Sequence, residues 1–313
     1  MKKHTLIYDC DPGIDDAVAM LIMFANQNVF NTLGVTTVGG NTTLDHTSQN
    51  ALNICSMLGQ NTPVFAGCPE PTINQPLFGD IAHSHNGLGG VQLPKSPNSL
   101  PTQHAVDFIV QTVSNSDIPV TLFTSGPMTN VACALTLKPE IKENIKEIIS
   151  MGGAIGVGNI TPAAEYNFFF DPHAVRKIID SGCKLTIMPL DMTHTALVPE
   201  GCIKSLISSN NQIRQLYGKM MWEHYQYDKR IFELNGCAVH DPTIFAYVLA
   251  PELFTSRDVY VAIDIAPGPS QGRTNIDWFG ILNKPANATV VDSIKVDGLI
   301  DLIEQSFNYF EGL

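Results

Sequence analysis

The chain has 313 residues, of which 44% are hydrophobic and 15% are charged, enough to bury the core of one large domain or two ordinary ones. Its 30 acidic residues outnumber the 18 lysines and arginines, and the net charge of −12 argues against binding to a phosphate backbone. The seven cysteines are odd in number and lack C-x-x-C spacing, which argues against both a disulfide framework and a zinc site.

The sequence also predicts where the protein resides. No uncharged apolar run approaches the roughly 18 residues of a membrane span. The first predicted strand begins at Thr5, which leaves no room for a signal peptide ahead of it. We therefore expect a soluble cytoplasmic protein whose partners include neither a membrane nor a nucleic acid.

Runs typical of strands and helices alternate along the chain. The predicted strands are residues 5–8, 32–38, 63–67, 120–124, 147–153, 184–190, 259–266 and 289–296. The predicted helices are residues 15–24, 44–58, 105–113, 129–137, 172–181, 211–232, a further helix after Pro242, and 299–309. This alternation predicts a mostly parallel central sheet flanked by helices, an open α/β architecture of the Rossmann-like type. Without a repeat or a linker, we expect a single domain over residues 1–313.

One long segment, residues 68–101, is rich in Pro, Gly, Asn and His and has no predicted strand or helix. Loops of this length inside compact domains are usually functional lids or disordered segments. Because ligands of open α/β sheets bind beyond the carboxyl ends of the strands, we expect a lid over a pocket at that edge.

Four carboxylates crowd one predicted strand-to-helix corner, where residues 9–16 read D-C-D-P-G-I-D-D. Pro12 and Gly13 end the strand, and Asp15 and Asp16 begin a helix. The mutual repulsion of these four carboxylates must be relieved by a cation, by protons or by water. An ordinary acidic helix start would use one acid as the N-cap and leave three unexplained. Adjacent helix residues diverge by about 100°, so we expect Asp16 to turn toward Asp11 while Asp15 points elsewhere.

The run D-C-D-P-G-I-D-D-A resembles the N-terminal signature of the nucleoside hydrolases, the inosine–uridine-preferring and related ribonucleoside hydrolases. Matching segments continue as far as Pro242. The resemblance implies a Ca²⁺-dependent ribonucleoside N-glycohydrolase that converts purine and/or pyrimidine ribonucleosides and water to ribose and free base. It further implies nucleoside catabolism, nucleotide salvage, and a homo-oligomer, either dimer or tetramer.

Two other functions are weighed against this one. An aspartyl phosphohydrolase would use the D-x-D of Asp9 and Asp11, but Pro12, Gly13 and the scarcity of nearby cations disfavour it. A nucleoside-binding protein without turnover would keep the same ribose pocket, so the sequence leaves that alternative open.

The resemblance also implies a set of metal ligands. Asp11, Asp16, Asp241 and the backbone carbonyl of Thr124 are expected to hold Ca²⁺, which prefers oxygen ligands. Asp11 is in addition expected to take the proton of the attacking water. For Asp241 a plain N-cap before Pro242 is the alternative. We assign only that role to Asp171, which also precedes a proline.

The remaining site residues are implied by the same resemblance. His240 is expected to protonate the departing base, in keeping with the pKa range of histidine. The expected substrate contacts are Asp15, Asn41, His83, Met151, Asn159, Glu165, Asn167 and Phe232. Ser84 stands where relatives often have glycine, which leaves the roles of His83 and His85 open. Asp228 and Phe232 occupy places that hold Gln and Tyr in some pyrimidine-preferring members, so base preference is also open.

Overall fold

The computed structural model describes residues 3–77 and 84–311, which contain eleven β-strands. In chain order they are β1 (His4–Cys10), β2 (Phe30–Thr37), β3 (Val64–Ala66), β4 (Val120–Thr124), β5 (Ile145–Met151), β6 (Leu185–Met188), β7 (Leu197–Pro199), β8 (Gly236–Ala238), β9 (Phe254–Ile263), β10 (Thr274–Asp277) and β11 (Ala288–Ile294). Nine strands form one sheet in the order β10-β9-β11-β6-β5-β4-β1-β2-β3, and β7 pairs with β8 separately. Within the nine-stranded sheet, pairing is parallel from β3 to β11 and antiparallel where β9 joins β11 and β10; the β7–β8 pair is also antiparallel.

Helices cover both faces of this sheet. In chain order they are α1 (Ile14–Ala25), α2 (Leu44–Met57), α3 (Ala105–Asn115), α4 (Thr129–Leu137), α5 (Tyr166–Phe170), α6 (Pro172–Ser181), α7 (Leu190–Thr193), α8 (Glu200–Ser208), α9 (Gln212–Ile231), α10 (Pro242–Leu249) and α11 (Val296–Tyr309), with 3₁₀ turns at Pro139–Asn144 and Pro251–Leu253. None of the helices in the described ranges is long and apolar enough to cross a bilayer.

The core is divided between the two faces of the sheet, because successive strand residues point in opposite directions. On β1, Leu6 and Tyr8 belong to the buried cluster beneath α1, α9, α10 and α11, whereas Ile7 belongs to the cluster beneath α3, α4 and α6. Strand β1 is therefore buried on both faces. The parallel pairing of β1 with β2 and β4 brings the carboxyl ends of these strands to one edge, where Asp9 lies opposite Thr124.

The predicted architecture is confirmed, since the sheet is large and mostly parallel with helices on both sides. All eight predicted strands and all eight predicted helices are present, with boundaries shifted by a few residues. The sequence analysis missed the helices α5, α7 and α8, the β7–β8 pair and strand β10 at the sheet edge. The three missed strands have only three or four residues each, too few to show a periodic pattern.

Asp171 joins three segments on the face of the sheet beneath α4 and α6, and this confirms its predicted capping role. Its carboxylate accepts hydrogen bonds from Ala174 N at the start of α6 (3.0 Å) and from Thr129 Oγ1 of α4 (2.9 Å). It also accepts from the backbone N–H of Thr72 (2.9 Å) and from the hydroxyl of the same residue (2.8 Å). The side chain is buried at 1% exposure, so its loss would leave several donors without an acceptor.

Replacing Asp171 with alanine should therefore lower the free energy of unfolding by about 2–4 kcal/mol, as expected when a buried cap and its neighbours are lost together. Urea denaturation followed by circular dichroism measures this change. Asp180→Ala is the matched control, since Asp180 only pairs with Arg176 on the exposed side of α6. That variant should change stability by less than about 0.5 kcal/mol. Equal effects of the two substitutions would contradict the proposed role of Asp171.

Candidate active site

The acidic corner is built by the turn between β1 and α1. Helix α1 begins after Gly13, whose backbone N–H donates to Asp16 Oδ2 at 2.9 Å. Asp16 therefore caps its own helix from the third position. The same carboxylate accepts from Ser125 Oγ (2.6 Å), Asn41 Nδ2 (3.2 Å) and Tyr8 OH (3.3 Å). With four donors on its two oxygens, Asp16 is held in one orientation.

Asp11 lies in a close-fitting backbone cradle. Its Oδ2 accepts from Asn41 N at 2.7 Å. A Cβ at Gly40 would come within 2.1 Å of Oδ2, and one at Gly126 within 2.7 Å of Oδ1, so both positions require glycine. The other oxygen, Oδ1, is buried and has no hydrogen-bond partner within the described residues. A buried carboxylate oxygen without a donor is expensive, which makes Oδ1 a candidate atom for binding a cation or a water.

Three further carboxylates converge beside Asp11. Asp15, Asp16 and Asp241 each offer an oxygen, and these oxygens all lie within 4.8 Å of one another. The structure thus brings Asp15 and Asp16 closer together than their angular separation on the helix predicts. Asp241 occupies the N-cap position of α10, yet its side chain makes no capping hydrogen bond. This contrast with Asp171 favours a ligand role for Asp241 over a capping role.

Burial and mutual repulsion raise the pKa values of carboxylates in this cluster. Burial, followed by the charge of Asp16, raises the pKa of Asp11 well above its usual range. Burial and then the charges of Asp15 and Asp16 do the same to Asp241. Burial raises the pKa of Asp15 to about 6, with Asp16 as the second cause. A site that crowds several buried carboxylates fits a hard divalent cation, whose charge would relieve the repulsion.

The cluster forms one end of a cavity of about 350 Å³ at the carboxyl ends of the strands. Its lining includes most of the predicted substrate contacts together with both residues of the His-Asp pair, namely Asp15, Asn41, Met151, Asn159, Glu165, Asn167, Phe232, His240 and Asp241. Asp11, Asp16 and Thr124 do not line the cavity but are buried at 0% exposure. Thr124 is the last residue of β4, the place predicted for a carbonyl ligand. His83 lies outside the described residues.

The wall next to the acidic cluster is rigid and polar. Glu165 caps α5, and its carboxylate accepts from the backbone N–H groups of Gly153 (2.7 Å), Asn167 (2.8 Å) and Phe168 (3.1 Å). Asn167 in turn donates from Nδ2 to Ser125 O at 2.6 Å. Carboxylate and amide groups held in this way are suitable partners for sugar hydroxyls, which both donate and accept.

Rings and histidines form a second part of the cavity lining. His240 Nδ1 lies 2.8 Å from Thr193 Oγ1, which fixes the orientation of its ring. The His194 ring lies 5.0 Å from that of Phe232 and 5.4 Å from that of His240, measured between centroids. His224 approaches His240 at 6.1 Å. Apolar faces with polar edges suit a planar heterocycle.

Several lining residues were missed by the sequence analysis. Tyr166, His194, His224, Tyr227 and Ser125 all line the cavity. A sequence signal existed for His224. It lies four positions before Asp228 and eight before Phe232, so the three side chains share one helix face. For His194 no local pattern existed, since it follows the four-residue helix α7.

The comparisons with known proteins agree with this geometry. A family model described as inosine-uridine preferring nucleoside hydrolase matches residues 6–301. The chain belongs to this family. It is an enzyme, a hydrolase that acts on N-glycosyl bonds.

Individual nucleoside hydrolases match over the whole chain. The pyrimidine-specific ribonucleoside hydrolase RihB of Escherichia coli is 38% identical over 305 residues, which is 97% of either chain. The structure of a purine-preferring ribonucleoside hydrolase from Gardnerella vaginalis is 28% identical with a TM-score of 0.91, covering 99% of this chain and 100% of that one. The plant nucleoside hydrolase PpNRh1 shares the fold at a TM-score of 0.88 and 23% identity, with 100% of both chains covered.

Glu165 should make the stability of this nucleoside hydrolase depend on pH. Burial raises the pKa of Glu165 from 4.5 to about 7. The folded state binds the proton of the Glu165 carboxyl group more tightly than the unfolded state does. The stability that this proton contributes is therefore complete below about pH 4.5 and is lost as the pH rises through 7. In chelator-containing buffer, the melting temperature of Glu165→Gln should fall less between pH 5 and 8 than that of the wild type.

Glu252→Gln is the control, because Glu252 is exposed in the 3₁₀ turn before β9. Its melting temperature should follow the wild-type curve across the same pH range, as measured by differential scanning fluorimetry. If Glu165→Gln also followed the wild-type curve, the assigned shift in the acidity of Glu165 would be wrong.

Proposed function

We propose that this nucleoside hydrolase is a Ca²⁺-dependent ribonucleoside N-glycohydrolase that releases ribose and free base. The observation that carries the proposal is the convergence of the Asp15, Asp16 and Asp241 oxygens at one end of a cavity whose walls carry amides, carboxylates and rings. A ribose matches the polar end of this cavity and a base matches the aromatic end.

The donor set fits a calcium ion. Asp11, Asp16, Asp241 and the Thr124 carbonyl would hold it, and all four residues are at least 97% buried. They supply only oxygen, the ligand that Ca²⁺ prefers. When bound, the ion would offset the repulsion among the carboxylates and hold water and ribose hydroxyls in reacting geometry.

The chain's own side chains account for the remaining steps. Asp11 Oδ1 is buried without a donor, and it would accept the proton of the attacking water. Asp15, Asn41, Asn159, Glu165 and Asn167 would bind the ribose hydroxyls. The surplus negative charge of the site would stabilise the positive charge that develops on the sugar as the glycosidic bond breaks.

His240 would give its proton to the departing base. Its ring lines the cavity next in sequence to Asp241 and lies 5.4 Å from the ring of His194, measured between centroids. The Thr193 hydroxyl holds Nδ1, so we assign the proton transfer to Nε2. Phe232 would stack on the base.

We further propose that pyrimidine ribonucleosides are the better substrates, because the relative that is 38% identical over 97% of the chain is named pyrimidine-specific. Release of reducing sugar from uridine, cytidine, inosine and adenosine tests both activity and preference. A phosphate monoester is included as the negative control. Faster cleavage of inosine and adenosine would overturn the base preference, and no cleavage of any nucleoside would overturn the function.

Removal of divalent ions should abolish turnover, and added Ca²⁺ should restore it. Asp11→Asn should remain folded yet lose turnover even with Ca²⁺, because it loses one ligand charge and the proposed base together. Elemental analysis of the purified protein should find about one Ca²⁺ per chain, or Mg²⁺ if the site is octahedral. Full activity after exhaustive chelation, with no bound metal, would contradict the metal assignment.

Removal of His240 should matter only when the leaving group needs a proton. General acid catalysis is typically worth about 10²–10⁴-fold, so His240→Ala should lose a factor of this size on uridine or inosine. A nitrophenyl riboside departs as a stable anion, and its hydrolysis should lose far less. Equal losses of kcat/KM on both substrates would assign His240 to a structural role and leave the acid to another group.

A further inference from the structure

Tyr166 lies in the wall that carries the proposed ribose contacts. It is the first residue of α5, between Glu165 and Asn167, and it lines the cavity. Its backbone N–H donates to Asn159 Oδ1 at 2.9 Å. Glu165, Asn167 and Asn159 are all held by hydrogen bonds in this wall. The backbone that carries the phenol ring is therefore fixed in place.

The hydroxyl of Tyr166 reaches two distant parts of the chain. It lies 2.5 Å from Gly40 O and 2.8 Å from Leu77 O, both of which are acceptors. A phenol has one hydrogen, so it donates a full hydrogen bond to one of these carbonyls at a time or shares it between them. Leu77 also lines the cavity.

The contact with Gly40 leads directly to the acidic cluster. Gly40 packs against the carboxylate of Asp11, and the next residue, Asn41, donates its N–H to Asp11 Oδ2. The Asn41 side chain also binds Asp16 Oδ2. One hydroxyl therefore connects the segment that carries Glu165 with the turn that holds Asp11.

We propose that Tyr166 is a positioning residue that fixes the spacing between these two walls of the ribose end of the cavity. The inference rests on the proposed function, from which it takes ribose as the substrate. It concerns a side chain that has no role in the sequence motifs or in the proposed mechanism. The mechanism is geometric, because ribose must contact both walls at once and a misplacement of about 1 Å can already cost a large factor in rate.

Phenylalanine at position 166 tests this idea cleanly. The ring and its contact with Phe170, at a centroid distance of 6.0 Å, would be kept. Helix α5 would also keep its second tether, from Asn167 Nδ2 to Ser125 O. Tyr166→Phe should therefore fold normally and lose the link to the Gly40 and Leu77 carbonyls.

In Tyr166→Phe, kcat/KM should fall about tenfold, the factor expected for one net hydrogen bond of roughly 1.4 kcal/mol. The factor should be the same on a nucleoside and on the nitrophenyl riboside, because the two substrates share the ribose and differ in the leaving group. The inhibition constant of free ribose should rise by a comparable factor. Calorimetric titration with ribose measures the same loss without turnover, so it separates this inference from the proposed function.

Tyr217→Phe is the matched control. Tyr217 is buried, and its hydroxyl donates to a backbone carbonyl, that of Ala17, at 3.0 Å, outside the cavity. Tyr217→Phe removes the same kind of hydroxyl-to-carbonyl hydrogen bond, yet it should keep wild-type kcat/KM and ribose affinity. The inference is overturned if Tyr166→Phe keeps wild-type values, if Tyr217→Phe loses as much, or if the loss occurs only with natural nucleosides.

Discussion

The repulsion among four buried carboxylates is the constraint on which the rest of the site depends. Asp11, Asp15, Asp16 and Asp241 are all at most 5% exposed, and burial raises the pKa of each; neighbouring carboxylates raise it further for Asp11, Asp15 and Asp241. Such a cluster survives only because donors are fixed around it and because the fold over-determines its position. The backbone of Gly13, the amide of Asn41 and the hydroxyl of Ser125 each come from a different segment.

The parallel sheet explains how those segments meet. Residues that follow β1, β2, β4 and β5 are far apart in sequence but share one edge, since parallel strands end on the same side. Glycines at positions 40 and 126 then let two backbones approach Asp11 more closely than any side chain would permit. The apolar clusters beneath the cavity walls stabilise them. The edge of the sheet instead concentrates negative charge, which suits the binding of a substrate or a cation at the expense of stability.

The two ends of the cavity follow different physical rules. At the ribose end, the polar groups are held by backbone hydrogen bonds, as in Glu165, so their geometry is set before a ligand arrives. At the proposed base end, the lining consists of rings in or next to α7 and α9 and of His240 before α10, which contact one another edge-on or tilted. Stacking surfaces tolerate different heterocycles better than fixed donors do, and relatives with this fold accordingly bear names with different base preferences.

The sequence by itself determined the alternation of strands and helices, because strands buried on both faces require continuous apolar runs. It determined the acidic corner as well, because four aspartates within residues 9–16 are an unusual composition. It also indicated the His-Asp pair at positions 240 and 241. Only the tertiary structure decided that Asp15 joins Asp16 and Asp241, that Asp241 does not cap its helix as Asp171 does, and that Tyr166 reaches Gly40. These facts depend on side-chain directions and on contacts between segments as far apart in sequence as Asp15 and Asp241, which no local pattern encodes.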